Sequence, residues 1–146
     1  MSALVCAFAP FAPPSAFASI SPAGSNTSKS TAPSSPRDKA ERQFDLAQTV
    51  RDALDAIPEN KRTEDQYLRV VKTYRTVYQI TPFAQDVPAA IMAVGDLYRT
   101  MGVRFDKKYS KLSVDAYQFL LHDYPQSKYR EQALFNVAQV QKDDLK

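Results

Sequence analysis

The sequence holds a single cysteine, Cys6, and a single histidine, His122. One cysteine can form neither an internal disulfide nor a cysteine-based zinc site, so it leaves the redox setting open. A catalytic zinc needs three protein ligands and an open position for water, and one histidine with one cysteine does not assemble that set. Long apolar runs are missing too. The best candidate, residues 3–17, falls short of the roughly 20 residues of a spanning helix and is broken by Pro10, Pro13 and Pro14. No transmembrane segment is expected. Charge of one sign is also scarce, since 19 lysines and arginines against 16 aspartates and glutamates leave a net charge of +3. So small an excess, spread over helical faces instead of gathered in a stripe, excludes nucleic acid as the expected partner.

What is present is unevenly distributed. The first 36 residues hold six of the ten prolines and one charged residue, Lys29, and the other 34 charged residues lie from Arg37 onward. A boundary near residue 37 follows. The apolar start ends in Ala16-Phe17-Ala18 before Ser19, the small-x-small pattern cut by a signal peptidase. Residues 1–18 therefore read as a signal peptide for a periplasmic or secreted protein, although no Lys or Arg precedes the apolar stretch. Lipidation of Cys6 does not fit, because no small residue stands just before it. Residues 19–37 are rich in Ser, Thr, Pro and Ala, with almost nothing to bury, and read as a flexible linker. Residues 38–146 read as the folded domain.

In that domain apolar residues recur at helical spacing between helix-stop and helix-start signals, and no convincing strand alternation appears. The fold class is all-α, with five helices. The first, over about 39–57, carries Phe44, Ala47, Val50 and Leu54 and stops before Pro58. The second, 64–80, opens on Thr63 and Gln66 as a capping box and has the stripe Tyr67, Val70, Val71, Tyr74, Val77 and Tyr78. The third, about 87–101, has Asp86 as N-cap, Ile91, Val94, Leu97, Tyr98 and Met101 on one face, and Gly102 as a left-handed C-cap. The fourth, 107–123, has two apolar stripes, one through Leu112, Ala116, Phe119 and Leu120, the other through Val114, Tyr117, Leu121 and Tyr124. That predicts a helix sandwiched between neighbours. The fifth follows Pro125, with Ser127 as cap and Ala133, Leu134, Val137, Ala138 and Val140 facing inward.

A shift of 43 residues lays the second and third helices over the fourth and fifth. Val71 meets Val114, Tyr74 meets Tyr117, Val77 meets Leu120 and Pro82 meets Pro125. The register then continues without a gap from Ala90 onto Ala133, Ile91 onto Leu134, Val94 onto Val137 and Leu97 onto Val140. This is a helix–turn–helix repeat, stacked as a solenoid similar to tetratricopeptide arrays. Its period exceeds the 34 residues of the standard unit, and an enlarged connection around residues 103–108 is expected to hold the surplus. The stripes on the last two helices are wider than one neighbour covers, so the array is expected to be truncated after Lys146.

The residues Ala116-Tyr117-Gln118-Phe119-Leu120, Tyr124-Pro125-Gln126-Ser127 and Ala133-Leu134-Phe135 resemble the tetratricopeptide-like repeats of envelope proteins, among them BamD-type outer-membrane assembly lipoproteins and periplasmic division coordinators. The run over residues 104–145 resembles more narrowly the N-terminal repeat region of acidobacterial N-acetylmuramoyl-L-alanine amidases. In that family such repeats precede a zinc-dependent, peptidoglycan-hydrolysing domain. The resemblance implies an interaction or spacer module of a cell-wall protein, with an adjoining amidase domain or another protein as partner and peptidoglycan only indirectly. It implies no cofactor in this segment. A free-standing envelope scaffold without an enzyme is the rival reading.

No residue here is assigned to catalysis. His122 beside Asp123 lacks a nucleophile, and neighbours on a helix are not expected to face each other. Tyr74, Tyr78, Tyr98 and Tyr117 fall at core spacing, whereas Tyr109, Tyr124 and Tyr129, near turns, are open as surface contacts. Arg104, Lys107, Lys108 and Lys111 form the one basic cluster, a candidate contact for acidic polymers or phosphates.

Overall fold

The computed structural model describes residues 35–144. Five α-helices follow one another, α1 (Pro36–Asp55), α2 (Glu64–Ile80), α3 (Val87–Arg104), α4 (Lys107–Asp123) and α5 (Arg130–Gln139). A 3-10 turn, Glu59–Lys61, links α1 to α2, and a π turn, Val140–Asp144, extends α5. Each helix packs on the next in sequence, as short connections between antiparallel neighbours require. The signal peptide read over residues 1–18 and the linker read over 19–37 lie outside the described residues, except for the last three positions. Those three belong to the start of α1 and not to a linker.

Local chemistry explains that earlier start. The Ser35 hydroxyl accepts from the Asp38 amide at 3.1 Å, the Asp38 carboxylate accepts from the Ser35 amide at 2.9 Å, and Pro36 occupies the first turn. The Ser35 amide, with its hydroxyl, holds the Asp38 carboxyl below its ordinary range. The Thr63–Gln66 box forms at the start of α2 as expected, with bonds of 3.4 and 2.9 Å. Two other expected caps do not form. Asp86 makes no side-chain cap bond, and Pro88, two residues on, has no amide to offer it. The Ser127 hydroxyl accepts from the Tyr129 amide within the turn, so that α5 begins only at Arg130.

The 43-residue shift is carried by the helices themselves. It lays the start and end of α2 onto those of α4, and the start of α3 onto that of α5. Burial follows the same register, since Tyr74 and Tyr117, and Val77 and Leu120, are all in the core. The pattern also reaches back to α1. Ala47, Ala90 and Ala133 stand 43 residues apart and are each fully buried, and Leu54, Leu97 and Val140 repeat the relation two turns further on. The same helix of the repeat therefore occurs three times, as α1, α3 and α5, with α2 and α4 between. At each alanine a larger side chain would hold the neighbouring helix away.

The central helix α3 is covered widely, with Val87, Ala90, Ile91, Met92, Val94, Gly95, Leu97, Tyr98 and Met101 all buried. Its end corrects the reading of Gly102. The helix runs on to Arg104, and Gly102 is needed for close approach: a Cβ there would lie 2.7 Å from the Ser110 amide nitrogen. Two α4 turns further, a Cβ on Gly95 would lie 2.4 Å from the Tyr117 ring. Only Phe105 and Asp106 separate α3 from α4, so no enlarged connection exists. The surplus over the shorter repeat unit lies in the helices, of 17 and 18 residues.

The α4 helix buries part of each of its two stripes, Leu120 and partly Ala116 from one, Val114 and Tyr117 and partly Leu121 and Tyr124 from the other. Val114, Tyr117 and Leu120 are buried, together with Ser110 and Ser113, while Leu112 and Phe119 stay at the surface. Phe119 nonetheless meets Tyr78 of α2 at 5.9 Å between ring centres.

Candidate interaction surface

The basic cluster read from the sequence is largely engaged within the molecule. The Arg104 guanidinium pairs with the Glu59 carboxylate at 2.8 Å and lies over the rings of Tyr67 and Phe105. It ties the end of α3 to the 3-10 turn ahead of α2. Lys108 lies 3.8 Å from both Glu64 and Asp106 and over the Tyr109 ring. Lys107 is exposed and has an interaction of its own, and Lys111 is exposed. Opposite charge from α2 and its preceding turn meets Arg104 and Lys108, two of the four.

The tyrosines divide differently from the expectation at one position. Tyr74, Tyr98 and Tyr117 are buried and Tyr78 is half-buried, as their spacing implies. Tyr109, read as open to the surface, is buried instead. Its ring stacks on Tyr98 at 6.0 Å and its hydroxyl donates to Glu64. That bond to an anion, reinforced by burial, pushes its pKa up to about 12. Tyr124 donates to the Pro82 carbonyl at 2.9 Å, joining the two proline turns of the repeat. His122 does meet Asp123 despite their adjacency, at the C-terminal end of α4 with the imidazole 89% exposed. Among the described residues no group of three or more His, Cys, Asp and Glu gathers where it could hold a metal. No helix there is long and apolar enough to cross a membrane.

A surface that sequence reading missed runs along α2. Leu68, Lys72, Arg75, Thr76 and Gln79 recur at helical spacing and border a depression of about 330 Å³, with Tyr98 of α3 also lining it. The hydroxyls of Tyr78 and Tyr98 face the Arg75 guanidinium and hold it above its ordinary range, Tyr78 most strongly. Burial raises the Tyr78 pKa, against the opposing pull of Arg75. Arg75 is exposed on its helix face, and Tyr98 lines the same depression. Two cations over an apolar lining suit the side chains of an amphipathic, acidic segment. An open hollow of this size suits such side chains better than an enclosed small molecule. The signal was present in the spacing of Leu68, Lys72, Arg75 and Gln79, but only packing shows that Tyr98 lies beside them.

A partly buried polar cluster also escaped sequence reading. Tyr117 donates to Asp96 at 2.6 Å, Asn136 approaches the same oxygen at 3.4 Å, and Gln132 donates to Asn136 at 2.9 Å. Burial first, and the bond to Asp96 next, raise the Tyr117 pKa. The cluster links α3, α4 and α5 and fixes their register.

Compared with protein-family models, curated proteins and solved structures, the chain matches none significantly.

Proposed function

We propose that the chain is a helical-repeat interaction and spacer module whose α2 groove receives an acidic, amphipathic segment of a protein partner. The observation that carries this reading is the placement of Lys72 and Arg75, exposed and on one helix face, beside the lining of Val71 and Tyr98. Stacked helices supply a stiff surface for such a contact. The resemblance of residues 104–145 to the repeats of cell-wall amidases supports a setting in the cell envelope. There the module would hold a hydrolytic domain, or another envelope protein, at a set distance.

A photoreactive amino acid placed at Gln79 in the producing cell tests the groove. A discrete protein adduct is expected from Gln79, absent from the same probe at Glu41 on α1, and lost when Lys72→Glu and Arg75→Glu are added. Adducts that are equal from both positions, or unchanged by charge reversal, would count against it. Cell fractionation with intact-mass analysis tests the setting separately. An envelope-located product beginning at Ser19 supports export, and a cytoplasmic product retaining Met1 contradicts it.

A further inference from the structure

The exposed face of α5 corresponds to a face that is buried on α3, where Tyr117 of α4 lies against Gly95. Under the 43-residue shift Leu134, Phe135 and Ala138 take the places of Ile91, Met92 and Gly95. On α3 these are buried, Ile91 at 1% and Met92 at 6% exposure, with Gly95 against the Tyr117 ring. On α5 Leu134 is 47% and Phe135 56% exposed, and Ala138 is exposed as well. The inward side of the same helix is satisfied by Ala133, Asn136 and Val140.

We propose that this face pairs with the same face of a second copy of the chain, antiparallel, about a two-fold axis near Asn136 and Val137. The charge pattern selects that occupant. By helical spacing the stripe is bounded by Glu131 at one end and Lys142 at the other, both exposed. In an antiparallel pair centred between Asn136 and Val137, Glu131 of each copy faces Lys142 of the other. The same register sets Phe135 opposite Ala138, a large side chain against a small one, as Tyr117 is set against Gly95 within the chain. A parallel pair would oppose like charges. A head-to-tail contact with α1 is disfavoured, because its outer surface carries Arg37, Glu41, Arg42 and Asp45 and exposes Leu46 as its large apolar side chain.

Sedimentation velocity of the full chain, under reducing conditions so that Cys6 cannot crosslink it, tests the pairing across micromolar to millimolar concentrations. A monomer–dimer equilibrium is expected, abolished by Phe135→Glu with helical content unchanged. Glu131→Lys or Lys142→Glu alone, each of which turns two attractions into two repulsions, should weaken the dimer roughly tenfold. The double variant E131K/K142E should restore it. A chain that stays monomeric throughout, a dimer that survives Phe135→Glu, or a double variant no tighter than the single ones would overturn the proposal.

Discussion

Gly102 lies against Ser110 so closely that a methyl group on the glycine would sit 2.0 Å from the serine hydroxyl oxygen. Both residues are in helices, α3 and α4, and the approach brings the first turn of one onto the last turn of the other. The contact depends on a hydrogen in place of a side chain, and it accounts for the small Ser110 on the buried side of α4, where Ser113 is buried as well. In the preceding repeat the matching positions hold Tyr67 and Val70.

Gly102→Ala should therefore destabilise the domain, although alanine favours a helix over glycine by about 1 kcal/mol. The clash includes the Ser110 backbone, which cannot rotate away, so a net loss of about 1–3 kcal/mol is expected in denaturant unfolding. Gly95→Ala should behave alike, because the Tyr117 ring is held by its bond to Asp96. A gain in stability from either would show that α3 and α4 sit further apart.

Tyr117→Phe removes the 2.6 Å donor to Asp96 while keeping the ring. A loss of about 1–2 kcal/mol is expected, since a partly buried carboxylate is left with the distant Asn136 amide. Adding Asn136→Ala should cost more in that background than in the native chain, because it removes the carboxylate's remaining donor, as a double-mutant cycle would reveal.

Much of the frame was legible in the sequence. The bounds of α2 and α4, the Thr63–Gln66 box and the pairing of Tyr74 with Tyr117 all follow from helical spacing and the 43-residue register. The third copy, α1, was not, because it shares with α3 and α5 chiefly Ala47 and Leu54, residues common in any helix. Gly102 was misread because a glycine near a helix end signals a cap equally well as a close contact. Arg104 and Tyr109 looked free because their partners, Glu59 and Glu64, lie 45 residues earlier and are brought there only by packing.

Arg104→Ala should destabilise the fold by about 1–2 kcal/mol, through the lost pair with Glu59 and the lost stacking on Tyr67 and Phe105. Lys111→Ala, at an exposed position, should change stability by no more than about 0.5 kcal/mol. Equal effects in thermal melts would return Arg104 to the free basic surface that the sequence suggested.

Alkaline conditions should expose the role of Tyr109. Its folded pKa of about 12 lies above the ordinary value of 10.0, so its contribution is complete below pH 10 and is lost as pH rises toward 12. Unfolding free energy should fall over that window, and Tyr109→Phe should make the fall shallower without removing it, since Tyr74, Tyr78 and Tyr117 are also raised. An unchanged slope would mean that the phenol ionises as readily in the folded chain as in the unfolded one.

The three-fold recurrence in α1, α3 and α5 is tested most directly by placing leucine in turn at Ala47, Ala90 and Ala133 and measuring unfolding free energies. Overpacking at each should cost about 1–3 kcal/mol, while Gln48→Leu, adjacent to Ala47 but exposed, should cost no more than about 0.5 kcal/mol. Losses at all three alanines, with Gln48 spared, are the predicted result. An alanine that accepts leucine as freely as Gln48 does would show that its helix does not pack by the shared pattern, and the repeat would then be confined to the other two.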